Sequence, residues 1–369
     1  MEDIELSGDI RVEVCDALPL TADEKTALLP GLEESGLSPC LLDIIANIPQ
    51  RTRLVKAYAA DGGLLGLTSI LLTPGIFMKH CYGYGNHIGT NSPFLFTRGA
   101  DRAQVLAAIF RKLLQMRPGG HYVGFIDPAL SRDFEAALEE VPNIIADRIM
   151  ESGSISTLDP DIERVMLSRH SHLSRQLHRF RNKGGSVHVL EGPPEAALAE
   201  AFVACCLDSY RKNTHPGMAI DVDAYAGHVR DFMRSTPGAV YIYARLGDQV
   251  VGVQIFLRHQ RHLELTEGGF FSQTYHAYEN IIMASLRYAV DNGLEKVSYG
   301  LILNPNKERL LDADTRVPVY LVMFFKETPP PQAKAQMRAQ AHERFPMLVW
   351  KERGQSGQTV PGELEAVPC

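Results

Sequence analysis

The sequence predicts an α+β chain built from two similar units, each a mixed, mostly antiparallel sheet flanked by helices. Three observations predict it: a β-hairpin pattern that occurs twice, an amphipathic helix after each copy, and a short strand after each helix. The order β-β-β-α-β recurs at an offset of about 180 residues, a typical domain length.

The first hairpin is residues 53–72 (RLVKAYAADGGLLGLTSILL), an alternating strand, an Asp-Gly turn and a second strand. The segment 82–89 (YGYGNHIG) has the spacing G-x-G-x-x-x-G with no helix beginning there. It reads as a glycine-rich loop beside a cleft and not as a dinucleotide fingerprint. Residues 101–115 form a helix with Val105, Leu106, Ile109, Phe110, Leu113 and Leu114 on one face, and 121–126 a strand. Residues 159–192 read as one or two helices ending at Gly184-Gly185, then a strand. The helical part carries a basic stripe of Arg164, Arg169, Arg175, Arg179, Arg181 and Lys183. Helices follow at 195–210 and 221–234, with a polar loop at 210–217 between them.

The second hairpin is residues 238–257 (GAVYIYARLGDQVVGVQIFL). Its second strand repeats the first copy, Val250-Val251-Gly252-Val253-Gln254 matching Leu64-Leu65-Gly66-Leu67-Thr68. A glycine at the same strand position in both copies predicts a bulge or a close backbone approach. A third strand, a helix over 275–292 with Tyr278, Ile281, Ile282, Leu286, Ala289 and Val290 on one face, and a strand over 296–299 complete the second copy. The expected division is 1–158 and 159–335 for the two halves, and 336–369 for a C-terminal helix and flexible tail.

The 369 residues carry 45% hydrophobic and 22% charged residues, which excludes wholesale disorder. No apolar run approaches the ~20 residues of a membrane span. The acidic start lacks a secretory profile, so the expectation is a cytoplasmic protein without membrane contact. Six cysteines are too scattered for a disulfide framework and read as reduced, mostly buried thiols. No Cys/His set has zinc spacing, and no metal is expected. A net charge of −7 argues against a general nucleic-acid binder while permitting a local basic patch.

Several stretches together carry a resemblance. Residues 173–185 (LSRQLHRFRNKGG), the hairpin LGDQVVGVQIFL, residues 268–301 (GGFFSQTYHAYENIIMASLRYAVDNGLEKVSYGL) and 304–310 (NPNKERL) resemble, in that order, the second unit of double-domain GNAT proteins. The branch is that of the Fem-type aminoacyl transferases and related acetyltransferase-like proteins. The resemblance covers about 160–330 by motif and 50–158 by architecture. It implies tandem GNAT-like units and direct transfer of an acyl or aminoacyl group to an amine, without a covalent enzyme intermediate. The glycine-rich pyrophosphate turn of acetyl-CoA users is missing, since 272–278 reads SQTYHAY. That leaves three co-substrates in play, acyl-CoA, an acyl carrier protein thioester or aminoacyl-tRNA, with no tightly bound cofactor. The acceptor is expected to be a small amine or amino acid, with tRNA or a carrier protein as a possible partner.

Acyl transfer needs a held donor, a deprotonated amine and a stabilised oxyanion. The candidate catalytic residues are Glu264 and Glu267 on the third strand and Tyr275 at the start of the helix after it. By two-residue alternation Glu264 and Thr266 share a face and Glu267 points away. Lys307, Arg309, Arg175, Arg179 and Tyr278 are the candidate donor or phosphate contacts. Tyr210, Arg211, Asn86 and His87 are the candidate acceptor contacts. No G-x-S-x-G or Cys/His nucleophile arrangement is present, which argues against a hydrolase. The reading is an N-acyltransferase. The alternatives are an aminoacyl-tRNA-dependent, peptide-bond-forming Fem-type enzyme and a non-catalytic GNAT-fold binding or regulatory module.

Overall fold

The computed structural model describes residues 10–16, 20–42, 52–74, 82–85, 94–116, 121–126, 128–155, 158–213, 222–271, 275–301, 315–336 and 339. The first unit runs β1 (Ile10–Asp16), α1 (Ala22–Glu34), β2 (Thr52–Ala59), β3 (Leu64–Pro74), β4 (Tyr82–Gly85), β5 (Phe94–Phe96), α2 (Arg102–Met116), β6 (His121–Phe125), α3 (Ser131–Glu139) and β7 (Ile144–Ile155). The second runs α4 (Ile162–Arg169), α5 (Leu173–Asn182), β8 (Gly185–Glu191), α6 (Ala196–Asn213), α7 (Val222–Ser235), β9 (Ala239–Leu246), β10 (Gln249–Arg258), β11 (His262–Phe270), α8 (Ala277–Asp291) and β12 (Lys296–Leu301). A last strand, β13 (Thr315–Phe324), follows. Each unit is thus a mixed, mostly antiparallel sheet flanked by helices. Only β4 with β6 and β11 with β12 run parallel among the described pairs.

The strands join into one sheet in the order β1-β2-β3-β4-β6-β13-β7-β12-β11-β10-β9-β8, with β5 pairing with β3 beside β4. β13 lies between β6 and β7, so a strand that follows the second unit in the chain completes the sheet of the first. Residues 82–85, read from sequence as loop, are a strand. Two glycines at alternate positions do not stop Tyr82–Gly85 from pairing with β3 and β6.

The repeated hairpin glycine marks a repeated device. Leu65 is an extra residue in the β2–β3 ladder and Val251 in the β9–β10 ladder, each just before the glycine. Each bulged residue then offers its carbonyl to the end of the next strand. Thr97 N–H donates to Leu65 O at 2.9 Å, and Phe271 N–H to Val251 O at 3.0 Å. A side chain at Gly252 would meet the Phe270 ring at 2.3 Å, so glycine lets that ring lie across β10.

Three apolar clusters hold the sheet. One surrounds α2 in the first unit, with Phe94, Phe110, Tyr122 and Phe134, and one surrounds α8 in the second, with Phe256, Leu263, Ile281 and Tyr299. The third is shared: Leu28, Leu32 and Leu41 of the first unit pack with Phe202, Val229, Tyr241 and Ile255 of the second. No helix among the described residues is long and apolar enough to cross a membrane. Cys205 and Cys206 are free, buried thiols. Burial pushes both up, Cys205 to about 12, so neither is a ready nucleophile.

Candidate active site

β11 reads HLELTEGGF, and a bulge in its pairing with β10 decides which of its side chains meet. Ile255 pairs with Glu267 and Phe256 with Leu265, leaving Thr266 as the extra residue, its hydroxyl donating to Ile255 O at 2.9 Å. Residues directly opposite in a ladder point to the same face. Leu257 and Ile255 both belong to the shared core, so their partners Glu264 and Glu267 lie on one face. Simple alternation had them on opposite faces; the bulge reverses it.

α6 and α7 build a wall around Glu267. The Tyr225 hydroxyl donates to Glu267 Oε2 at 2.8 Å, and His228 Nε2 lies 3.6 Å from Oε1. Tyr225 and His228 are three apart on α7 and so share its face. Tyr210 stacks on Tyr225 with ring centroids 4.1 Å apart. Burial first, and then the Glu267 carboxylate, push the Tyr225 hydroxyl up, so it stays a donor. The Glu267 side chain is 21% exposed, sheltered yet open to a substrate. α6 is clamped against the strand end: Phe270 N–H donates to Ser209 Oγ at 2.8 Å, and a side chain at Gly269 would meet Cys205 O at 2.1 Å.

β11 and β12 are paired only at His262–Lys296, Leu263–Val297 and Glu264–Ser298. No further β11–β12 pair is formed among the described residues, although both strands run on, β11 to Phe270 and β12 to Leu301. On the α8 face of the sheet Gln254 lies opposite Gly268, and the Phe270 and Tyr278 rings meet edge to face at 5.2 Å. At the start of α8, Tyr275 (φ 47°) and His276 (φ 75°) are both left-handed. This is uncommon without glycine, though His adopts it more readily than most. His276 Nδ1 lies 3.1 Å from Glu279 Oε1, and Asn280 Nδ2 donates to His276 O at 2.9 Å, which fixes the turn. Tyr275 is 48% exposed, and Lys183, just after α5, sits 5.5 Å over its ring. Arg175 and Arg179 are exposed on α5, with no ion pair among the described residues.

Glu264 belongs to a different place. It is 1% exposed, with His259 Nε2 at 3.0 Å and His262 Nε2 at 3.8 Å. The Ser38 N–H donates to His259 Nδ1 at 3.0 Å, tying the first unit to the β10–β11 turn. Burial alone would raise the Glu264 carboxyl; hydrogen bonds from the two imidazoles overcome it and bring it down to about 2. Burial, opposed by Glu264, lowers His262. His259, His262 and Glu264 have the donor types and closeness of a metal-ligand set. The Ser38 N–H, however, occupies the Nδ1 lone pair of His259. That leaves the proton on Nε2, aimed at Glu264, and a hydrogen-bonded cluster is the arrangement this geometry favours. The cluster borders a cavity of about 470 Å³ between the units, away from Glu267.

Of the residues singled out in the sequence, Glu267 and Tyr210 are linked through Tyr225, Tyr275 and Tyr278 lie at the start of α8, and Arg175 and Arg179 lie on α5. Tyr210 and Arg211 are in the last turns of α6, which runs through Asn213; the segment read as loop starts as helix. Asn86, His87, Lys307 and Arg309 lie outside the described residues. Sequence reasoning passed over Tyr225 and His228. The three-residue spacing on an amphipathic helix was the available signal.

No protein-family model and no curated protein sequence matches the chain. Solved structures do. L-PGS from Bacillus licheniformis superposes with a TM-score of 0.53 at 11% identity, covering 88% of this chain and 98% of that one. The C-terminal domain (DUF2156) assigned to a lysylphosphatidylglycerol synthetase from Agrobacterium fabrum gives 0.53 at 10% identity, covering 86% and 96%. A tandem GNAT protein from the clavulanic acid biosynthesis pathway gives 0.47 at 13%, covering 87% and 99%. The chain shares the fold of the first two of these proteins. At such identities the likeness is one of fold alone.

The two units differ at the equivalent point of their hairpin ladders. In the first, Thr68 pairs with Phe94 where the second pairs Gln254 with Gly268. The Phe94 ring fills the space under α2, 6.1 Å from Phe110 and 6.0 Å from Tyr122. In the second unit Gly268 brings no side chain to that position, and Gln254 lies against it, 2% exposed.

Proposed function

We propose that the chain is an N-acyltransferase whose site lies around Glu267 in the second unit. The observation that carries this reading is Glu267: a sheltered carboxylate, set by a bulge in β11, with Tyr225 fixing one oxygen and His228 beside the other. The donor's acyl group enters beside β11, and an amine approaches along the wall of Tyr210 and Tyr225. The amine nitrogen attacks the acyl carbonyl, and Glu267 takes the proton the nitrogen loses. The tetrahedral oxyanion collapses, the bond to the carrier breaks, and the departing thiolate or alkoxide takes up a proton. The backbone freed from the ladder at Thr266 supplies polar groups beside that carbon.

The donor is a co-substrate carried on a phosphate-bearing arm: acyl-CoA, an acyl carrier protein thioester or aminoacyl-tRNA. Support for such an arm comes from α5, whose exposed Arg175 and Arg179 and following Lys183 lead to Tyr275 at the start of α8. The Phe94 ring at the equivalent point of the first unit supports a single site per chain, with the first unit as scaffold.

The test is product formation, followed by mass spectrometry, with the three donor types against a panel of small amines and amino acids. Glu267→Gln is expected to lower kcat/KM at least tenfold, about 1.4 kcal/mol of transition-state stabilisation. A variant as fast as wild type would remove Glu267 from the mechanism.

A further inference from the structure

The sheet has two ends, β1 and β8, and they are guarded differently. β1 carries Arg11, Glu13 and Asp16, with Arg11 and Glu13 joined in an exposed ion pair at 2.9 Å. Charges of that kind on an edge discourage a further strand. β8 reads GSVHVLE, seven residues with no proline, no lysine and an unbroken register against β9. Its one charge is Glu191 at the end, and that carboxylate is turned back onto α8, accepting from the Tyr288 hydroxyl at 2.8 Å. Val189 is 46% exposed.

Hydrogen bonds at the end of the ladder show which groups of β8 face outward. Gly192 N–H donates to Ala239 O at 3.1 Å, one step beyond the Glu191–Val240 pair. Bonded and non-bonded pairs alternate along an antiparallel ladder. Ser186, His188 and Leu190 therefore bond to β9, while Gly185, Val187, Val189 and Glu191 turn their N–H and C=O groups away from it. The far side of β9 agrees. Arg258 N–H donates to Gly238 O at 3.2 Å, which assigns Val240, Ile242 and Ala244 to β10 and leaves Ala239, Tyr241 and Tyr243 for β8.

We propose that β8 is a dimer interface at which two copies of this chain join their sheets, antiparallel about a twofold axis through His188. The second copy is argued from self-complementarity. With His188 opposite its own counterpart, Val187 lies opposite Val189 of the second copy, and Gly185 opposite Glu191. Every outward N–H and C=O of one strand then meets an outward group of the other, over all seven residues. A slip in either direction leaves groups unpaired. Val187 and Val189 lie on the α8 face, since their β9 partners Ala244 and Ile242 belong to that core. Each contact between them is an apolar cross-strand pair, formed twice by the symmetry. Charge favours the same sense. The chain enters β8 from Arg181 and Lys183 and leaves it through Glu191 and Glu195, all exposed. Antiparallel pairing sets the basic end of one copy beside the acidic end of the other.

The test is sedimentation of the full chain over about 1 to 100 µM, a span that reports a micromolar dissociation constant. Wild type is expected to dimerise. Val189→Pro removes an outward N–H that the chain's own ladder does not use, and Val189→Lys sets a charge against Val187 of the second copy. Each is expected to raise the dissociation constant about 100-fold, because the symmetry counts every lost contact twice. Both should keep the circular dichroism of wild type. His188→Cys is expected to give a disulfide-linked dimer on mild oxidation, and Ser186→Cys is not, because only the residue on the axis meets itself. A dimer that survives both Val189 variants overturns the inference, as does one linked through Ser186→Cys and not through His188→Cys. A wild-type chain that stays monomeric throughout overturns it too, and leaves the edge to an extended segment of a different protein.

Discussion

Replacing Glu264 with glutamine tests whether the two units are clasped through a buried charge. The carboxylate is 1% exposed, takes hydrogen bonds from the His259–His262 pair, and through His259 is linked to the Ser38 backbone of the first unit. Its pKa is held at about 2, against an ordinary 4.5. At about 1.4 kcal/mol per pH unit, that difference corresponds to about 3 kcal/mol of folding stability. The folded-state value is depressed, so the stabilisation is complete above 4.5 and is lost as the pH falls towards 2. His262, also lowered, removes further stability in acid because the unfolded chain binds its proton more readily, and it does so in both proteins. Urea denaturation of wild type and Glu264→Gln is the assay. The variant should be weaker by about 3 kcal/mol near pH 7, and the gap should shrink to about 1.4 kcal/mol near pH 3 and to under about 1 kcal/mol near pH 2. Equal stability at neutral pH, or a gap that persists in acid, would refute the clasp.

Three further outcomes are expected. Gly269→Ala drives a methyl into the Cys205 carbonyl, so α6 must shift and urea denaturation should show a loss of about 1–3 kcal/mol. Phe94→Ala opens a hole between Phe110 and Tyr122 and should cost about 3–5 kcal/mol in the same measurement, without creating a second site. The double change Arg175→Ala and Arg179→Ala removes two exposed cations and should leave stability within about 0.5 kcal/mol of wild type. It should nevertheless weaken binding of a phosphate-bearing donor and flatten its salt dependence in a titration.

The hairpins, the helices α2 and α8 and the twofold order were legible because they rest on local periodicity: Val105 to Leu114 and Tyr278 to Val290 show their buried faces without help from distant residues. The paired glycines Gly66 and Gly252 pointed to the bulges for the same reason. Glu267 was singled out as a residue, but its direction was not legible, because a bulge is a property of two strands and the registers of β10 and β11 are invisible in either alone. Tyr225 and His228 are brought to Glu267 by packing across 40 residues of chain. The clasp of Ser38 with His259 spans far more, and no spacing rule connects such pairs. The place of β13 was illegible on the same ground: its pattern marks a strand, but nothing in it names β6 and β7 as neighbours.

That strand has a consequence for how the chain comes to be folded. A ribosome delivers residues 10–155 well before residues 315–324, yet the slot between β6 and β7 is filled only by β13. During synthesis the first unit therefore waits with two unpaired strand edges facing each other, and closure demands a contact between segments some 160 residues or more apart, the slow kind. Shielding of those edges by a chaperone, or by early docking of α1 on the emerging second unit, becomes part of making the protein. Severing the chain after β7 would leave a first half with an open slot and a second half bearing its key.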